Sequence, residues 1–426
     1  MSLDLARDRR NRDVMRAYDL DALVCRLPEN VLLLTGYWPL SSIAFVLYPR
    51  EGPVTLIAVV TEEEAIPSGA VDKVRTFAYG VVAATDPYGA VRRHLAEAVH
   101  AGGLGRGRIG YEGSFEAVAP GHMAAEPLVA AGVTRATIAD AAPDAVLVDA
   151  TTALYDARAC KTPTEIDYLR RANQVAALGL AAFRATFEPG RTEADVVAAV
   201  EAAIRGRGAA VAGARHVRAW AELMSGPASA RAYSAHPATS RRVIERGDLG
   251  LLELATVVDG YWSDLTRTLV AGGAPTTRQQ ELYAAILAAH HAVMGAAQPG
   301  MTGAQVDALA RGVLDDQGLG GHFVHHTGHG LGFRYHEPQP FLHPANEWEV
   351  REGMVTSIEP GLYIEGFGGL RLEENVVFTS GGVERLSDFD TDLAGARDAP
   401  ETTNAFADVG STVSATSGPR AGKETT

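Results

Sequence analysis

The sequence predicts an α+β protein in two parts, and three observations predict it. Up to about residue 150, short apolar runs punctuated by Pro and Gly alternate with helical spacings, which is an α/β pattern. At Thr162 a capped start then opens one long amphipathic helix. Beyond it, helices interleave with strand pairs joined by tight turns, so the second part reads as α+β with antiparallel strands.

Taken in order, the spacing predicts a helix from Arg7 to Tyr18, followed by LDALVCRL and NVLLLTGY as short buried strands. SSIAFVLYP and GPVTLIAVV continue the strand pattern, and PYGAVRRHLAEAVHAGG reads as a helix ended by glycines. CKTPTEIDYLRRANQVAALGLAAFRATF is the long helix, with Thr162 as N-cap, Pro163 in the first turn and Glu165 close behind. A boundary just before it divides the chain into a smaller domain over 1–155 and a larger one over 156–394. Further helices are expected at TEADVVAAVEAAIRGRG, RQQELYAAILAAHHAVMGAA and TGAQVDALARGVLDDQG, with strands at LGLLELATVV and GMVTSIEPGLYI. The stretch 395–426 is rich in Ala, Thr, Ser and Gly with almost no aromatic residue, and is expected to be a disordered tail.

Composition limits the function. A chain of 426 residues exceeds what one core usually supports, and 46% hydrophobic with 21% charged residues is ordinary for a globular protein. The net charge of −14, from 52 acids against 38 bases, argues against nucleic acid or an anionic membrane as partner and leaves small substrates or cations. Two distant cysteines, Cys25 and Cys160, make no disulfide framework, so a reducing cytoplasm is expected. The N-terminal stretch lacks the pattern of a signal peptide, and no run of roughly 18 apolar residues is long enough to span a membrane.

The chemistry concentrates in three stretches. In LLELATVVDGYWSDLTRT, Asp259-Gly260 signals a two-residue hairpin that pairs Val258 with Tyr261 and Ala255 with Asp264. Glu253 then lies on the same face as Asp264, diagonal to it at roughly 7–8 Å, and two acids so placed repel unless something cationic joins them. In EPGLYIEGFGGLRLEEN, Glu359 and Glu373 flank a second hairpin in strands that read as buried, where a carboxylate needs a partner. For any one of these acids an ion pair is the ordinary alternative: Asp264 with Arg267, or either glutamate with Arg371 or Arg351. In HHTGHGLGFRYHE, the glycines make a helix unfavourable and point to a tight turn where backbone approaches closely, presenting His325, His329 and His336. Four acids and a histidine form an oxygen-rich set suited to a pair of divalent ions.

Together these segments resemble the pita-bread metallopeptidases, the group of aminopeptidase P, prolidase and the related non-peptidase creatinase. The resemblance covers nearly the whole chain apart from the tail. It implies a pita-bread C-terminal domain of antiparallel sheets covered by helices, preceded by a smaller creatinase-type α/β domain. RLPENVLLLTGY is similar to the start of that smaller domain. The resemblance further implies metal ligation by Glu253, Asp264, His329, Glu359 and Glu373, with Asp264 and Glu373 bridging two ions, expected to be manganese, with zinc, cobalt or iron also suited. His325, His336 and His236 would line the substrate side, and Glu359 would double as proton shuttle. A homodimer is implied as well. One position departs from the family pattern: Glu253 stands where aspartate in an Asp-x-Gly context is usual. Its extra methylene shifts the carboxylate by about a bond length, whereas metal sites hold ligands to within roughly 0.2 Å.

The activity so implied is hydrolysis between an N-terminal residue and proline by two ions sharing a bridging water. The alternatives are a creatinase-like, metal-independent C–N hydrolase of a small guanidino compound, which normally abandons the metal acids, and a lyase that reuses the fold with an altered metal site.

Overall fold

A computed structural model describes residues 4–40, 43–79, 86–114, 131–211, 213–234 and 238–393. The expected tail over 395–426 lies outside these residues, as does His236. The chain begins with α1 (Leu5–Ala17), β1 (Ala22–Cys25), α2 (Pro28–Thr35), β2 (Phe45–Pro49), β3 (Thr55–Val59), β4 (Lys73–Phe77), α3 (Pro87–Ala101), β5 (Arg108–Tyr111), α4 (Ala131–Ala141) and β6 (Val146–Asp149). The six strands form one sheet in the order β4-β3-β2-β1-β5-β6. β1 runs antiparallel to β2 and parallel to β5. This is the expected α/β alternation with one correction. Residues 30–37, expected as a strand, fall largely within α2. Pro28 suits a first helical turn because its missing amide hydrogen would be unpaired there anyway, and Gly36, at φ 73°, closes the helix in the left-handed conformation. Every residue of α2 is buried, so the run carries no amphipathic period by which a helix is recognised.

The rest comprises α5 (Thr151–Ala159), α6 (Pro163–Thr186), α7 (Glu193–Arg207), β7 (Val217–Ser225), β8 (Leu249–Val258), β9 (Tyr261–Val270), α8 (Thr277–Ala296) and α9 (Gly303–Asp316). It continues through β10 (Gly328–Gly330), β11 (Glu337–Leu342), β12 (Val355–Ile358), β13 (Gly361–Ile364), β14 (Gly368–Arg371), β15 (Glu374–Thr379) and β16 (Gly382–Arg385). The long helices α6, α7, α8 and α9 all start on a threonine whose hydroxyl accepts from the third helical amide, while a Glu, Asp or Gln at that third position returns the bond. Such caps are worth about 1 kcal/mol each and fix where each helix begins.

Two antiparallel sheets build the larger part, β7-β8-β9 and β11-β10-β12-β15-β16, beside the two-stranded β13-β14. Strand alternation sends Leu252, Leu254 and Leu265 under α6 and α7, in a core with Val175, Leu180 and Val200. In the other sheet Met354, Ile358, Val376 and Phe378 pack with Leu282, Ile286 and Val306 of α8 and α9. The residues between these leucines, valines and isoleucines, including Glu253, Asp264, Ser357 and Asn375, therefore point away from the helices. The two inner faces meet: the Asp264 amide donates to Asn375 Oδ1 at 2.9 Å and the Glu373 amide to the Thr266 carbonyl at 3.2 Å. The fold is thus α+β, as the sequence predicts. No described helix is long and apolar enough to cross a membrane.

Candidate metal centre

The β8–β9 hairpin has the expected register, with Val258 opposite Tyr261, Ala255 opposite Asp264 and Glu253 opposite Thr266. Asp259 (φ 51°) and Gly260 (φ 90°) both adopt positive φ, which a type I′ turn requires and which matches strand twist. That turn fixes the phase of the strand, so Glu253 and Asp264 emerge on one face; a one-residue slip would send both under the helices. The second acidic pair is placed by a corner. GMVTSIEPGLYI, expected as one strand, divides at Pro360 into β12 and β13, which belong to different sheets, since proline cannot donate to a continuing ladder. Glu359 stands at that corner and Glu373 between β14 and β15, so both flank strands instead of lying within them.

The glycine-rich stretch threads between two neighbours. A Cβ on Gly328 would lie 1.9 Å from the Ser357 carbonyl oxygen, and one on Gly330 would lie 2.1 Å from that of Gln339. Only glycine allows β10 this approach, and it delivers His329 to the acids. The His329 ring is oriented by its own backbone: Nδ1 lies 3.0 Å from the Gly330 carbonyl oxygen, to which it donates, so that in the neutral ring Nε2 carries the lone pair. That nitrogen faces Asp264 Oδ2 at 3.3 Å and Glu359 Oε1 at 3.6 Å. Three side chains thereby turn acceptors towards one another.

Three overlapping groups have ligand atoms within 4.8 Å of one another: Glu253, Asp264 and Glu373; Asp264, His329 and His336; and His326, His329 and Glu359. All five expected ligands converge in these groups. Burial drives the Asp264 carboxyl well above its usual range, and the neighbouring Glu373 and Glu359 push it further. Glu373 moves the same way through burial and Glu359, and burial raises Glu359 to about 8. Glu373 Oε1 is buried with no hydrogen-bond partner among the described residues. Crowded carboxylates, a lone pair aimed at them and an orphaned oxygen are each relieved by cations, so the residues present fit divalent ions.

A supporting layer holds the donors. Thr266 Oγ1 lies 2.7 Å from Glu253 Oε2 and 2.8 Å from Glu373 Oε2. Ser357 bonds Glu359 at 3.0 Å, and Asn375 clasps the Asp264 backbone from both sides. Arg371 is fully engaged: its guanidinium meets Glu253, donates to Thr266 Oγ1 at 3.0 Å and to the Tyr363 hydroxyl at 3.0 Å. Of the ion pairs that could have explained the acids separately, Arg371 pairs with Glu253, whereas Arg267 turns to Glu374.

His325, expected on the substrate side, has both ring nitrogens within hydrogen-bond distance of protein groups. Its Nδ1 lies 2.7 Å from the His326 carbonyl oxygen and its Nε2 2.9 Å from the Tyr363 hydroxyl. Burial and the adjacent His326 lower its pKa to about 3, so the ring is neutral and Tyr363 donates to Nε2. His336 stacks close to His329, with ring centroids 3.7 Å apart. Sequence reasoning missed Tyr335, Tyr363, Thr266 and His326, all of which touch the expected site residues. His326 alone left a signal, as a second histidine beside His325.

The family model described as metallopeptidase family M24 matches residues 167–380. The Xaa-Pro dipeptidase of Pyrococcus furiosus is 36% identical over 240 residues, which make up 56% of this chain and 66% of that protein, just under two thirds of its length. Among solved structures, the prolidase of Pyrococcus horikoshii OT3 superposes with a TM-score of 0.71 at 26% identity, covering 91% of this chain and 99% of the other. The Xaa-Pro dipeptidase of Bacillus anthracis gives 0.74 at 25% identity, over 92% and 99%.

Proposed function

The chain belongs to metallopeptidase family M24, and from that premise we propose that it is a metal-dependent Xaa-Pro peptidase, releasing the residue that precedes proline at a peptide N-terminus. The observation that carries this reading is the convergence of Glu253, Asp264, His329, Glu359 and Glu373 from four separated segments into overlapping clusters in which all but Glu253 are buried. The names of its relatives support the Xaa-Pro preference. A metal-independent, creatinase-like reaction would have no use for four acids gathered at such electrostatic cost.

Glu253, Asp264, His329, Glu359 and Glu373 would hold two divalent ions, which supply a Lewis acid for the scissile carbonyl and lower the pKa of the attacking water. Glu359, kept basic by burial and steadied by Ser357, takes the water's proton and returns it to the leaving nitrogen. His336, beside His329, would hydrogen-bond the reacting carbonyl, and the Arg371–Tyr363–His325 chain holds the His325 ring in place. Manganese as the working ion, His236 on the proline side, residues 1–155 as the smaller domain and a homodimer all belong to the same proposal.

The test is a panel of Xaa-Pro dipeptides, longer Xaa-Pro peptides and creatine, assayed on chelated protein with and without added manganese. Cleavage before proline that vanishes on chelation and returns with the ion is expected. Turnover indifferent to chelator, or confined to creatine, would overturn the assignment.

A further inference from the structure

Two hydroxyls lie inside the acidic cluster, and counting lone pairs sets Tyr335 apart. Its oxygen contacts Glu253 Oε1 and lies 3.0 Å from Asp264 Oδ1. A phenol carries one hydrogen and two lone pairs, so once both carboxylates are ionised around a cation it can donate to only one of them, and the other oxygen–oxygen contact has no proton. Thr266 likewise faces two carboxylates with one hydrogen, but one of its lone pairs already receives the Arg371 Nε–H, which leaves less to offer an ion.

The phenol's position is imposed by the packing of its ring. Tyr335 is 2% exposed, and its ring packs at 5.8 Å from Trp262 and edge-on at 4.5 Å from His336. Ring packing therefore delivers the oxygen to a place where it crowds two acids. A cation seated among Glu253, Asp264 and Glu373 reverses the sign of that contact, because it meets the phenolic lone pair together with the carboxylates.

Resting on the metal-centre reading above, we propose that the Tyr335 hydroxyl oxygen is a further donor to the metal centre, working with the long side chain of Glu253. The lone pair serves whether or not the hydroxyl keeps its proton. A purely structural tyrosine, tying β8 to β9 by hydrogen bonds, would leave manganese affinity and the metal-induced rise in melting temperature unchanged when its hydroxyl is removed.

Wild-type protein and Tyr335→Phe are stripped with chelator, titrated calorimetrically with manganese chloride, and melted with and without the ion. The expected result is manganese affinity at least roughly tenfold lower in the variant, the scale seen when a group supporting a metal site is removed. Manganese should also raise the melting temperature of Tyr335→Phe by less than it raises that of wild type, because a weaker site stabilises less at the same ion concentration. Equal affinities, or the full metal-induced rise retained in the variant, would overturn the proposal. Failure of the wild type itself to bind manganese would remove the metal-centre reading and this proposal with it, a separate outcome. Should the variant not fold, a crystal structure of manganese-loaded wild type decides: a Tyr335 oxygen within about 2.0–2.6 Å of an ion supports coordination, and one beyond about 3 Å refutes it.

Discussion

Removing metal should make stability fall as pH rises from 6.5 to 8, against the usual trend for a protein whose buried histidines are neutral. A carboxyl whose folded pKa exceeds its unfolded value contributes stability that is complete below the unfolded value and is lost as pH climbs through the folded one. Glu359, moved from 4.5 to about 8 by burial, is such a group. Asp264 and Glu373 shift in the same direction. The histidines act oppositely. His290 and His325, lowered by burial to about 3, and His326, lowered to about 4, take up protons on unfolding, and because an unfolded histidine is still half protonated at 6.5 each adds back about 0.4 kcal/mol between 6.5 and 8. The acids' decline across this window therefore runs against a rise of about 1.2 kcal/mol from these three rings. Over those 1.5 units Glu359 alone costs about 1.6 kcal/mol, after allowing for its own partial ionisation near 8. Glu112, buried and raised to about 7, adds a decline that does not depend on the metal centre. Urea unfolding of chelated and manganese-saturated protein at both pH values subtracts it. The loaded protein should lose the extra decline or reverse it, because ions bind the deprotonated carboxylates. A pH dependence across the window that is identical with and without manganese would refute the reasoning.

Three substitutions probe the rest of the arrangement. Asp307 is buried and accepts from the Thr327 amide and hydroxyl while pairing with Arg311, which donates to the Phe323 and His325 carbonyls. Asp307→Ala should cost about 3–5 kcal/mol in denaturant unfolding, because Arg311 is left without its charge partner. Gly330→Ala drives a methyl towards the Gln339 carbonyl and should destabilise by about 1–3 kcal/mol, with reduced bound metal by elemental analysis as His329 is displaced. Glu253→Asp should retain Xaa-Pro activity or raise it, read as kcat/KM; complete loss would show that the glutamate serves another task.

The sequence made legible whatever followed from period and turn chemistry. Asp259-Gly260 fixed the β8–β9 register, and register alone placed Glu253 and Asp264 on one face. The glycines of the 328–332 run announced close backbone approach, which Gly328 and Gly330 realise. Where burial is complete on all sides these signals vanish. Val31–Leu34 of α2 reads equally as strand or helix, because nothing polar marks its phase. Pro360 was legible as a residue but not as the corner between two sheets, because the sheet that β13 joins is decided by partners far along the chain.

The missed site residues share a different cause. Tyr335, Tyr363 and Thr266 are types favoured in strands, so a strand pattern absorbs them as ordinary packing. Their function lies in where one hydroxyl hydrogen goes, and that depends on acceptors 38 positions away for Tyr363 and His325, 71 for Tyr335 and Asp264, and 107 for Thr266 and Glu373. Acids are conspicuous in an apolar run because burying their charge is costly; a hydroxyl is cheap to bury and attracts no notice. Yet the cluster's polarity is set by these neutral groups. Arg371 supplies the donors that Thr266 and Tyr363 pass on, Tyr363 donates to His325, and Thr266 lies between two of the four acids. Replacing Arg371 would therefore disturb the His325 side and the Glu253 side at once, which no pairing read from the acids alone could have indicated.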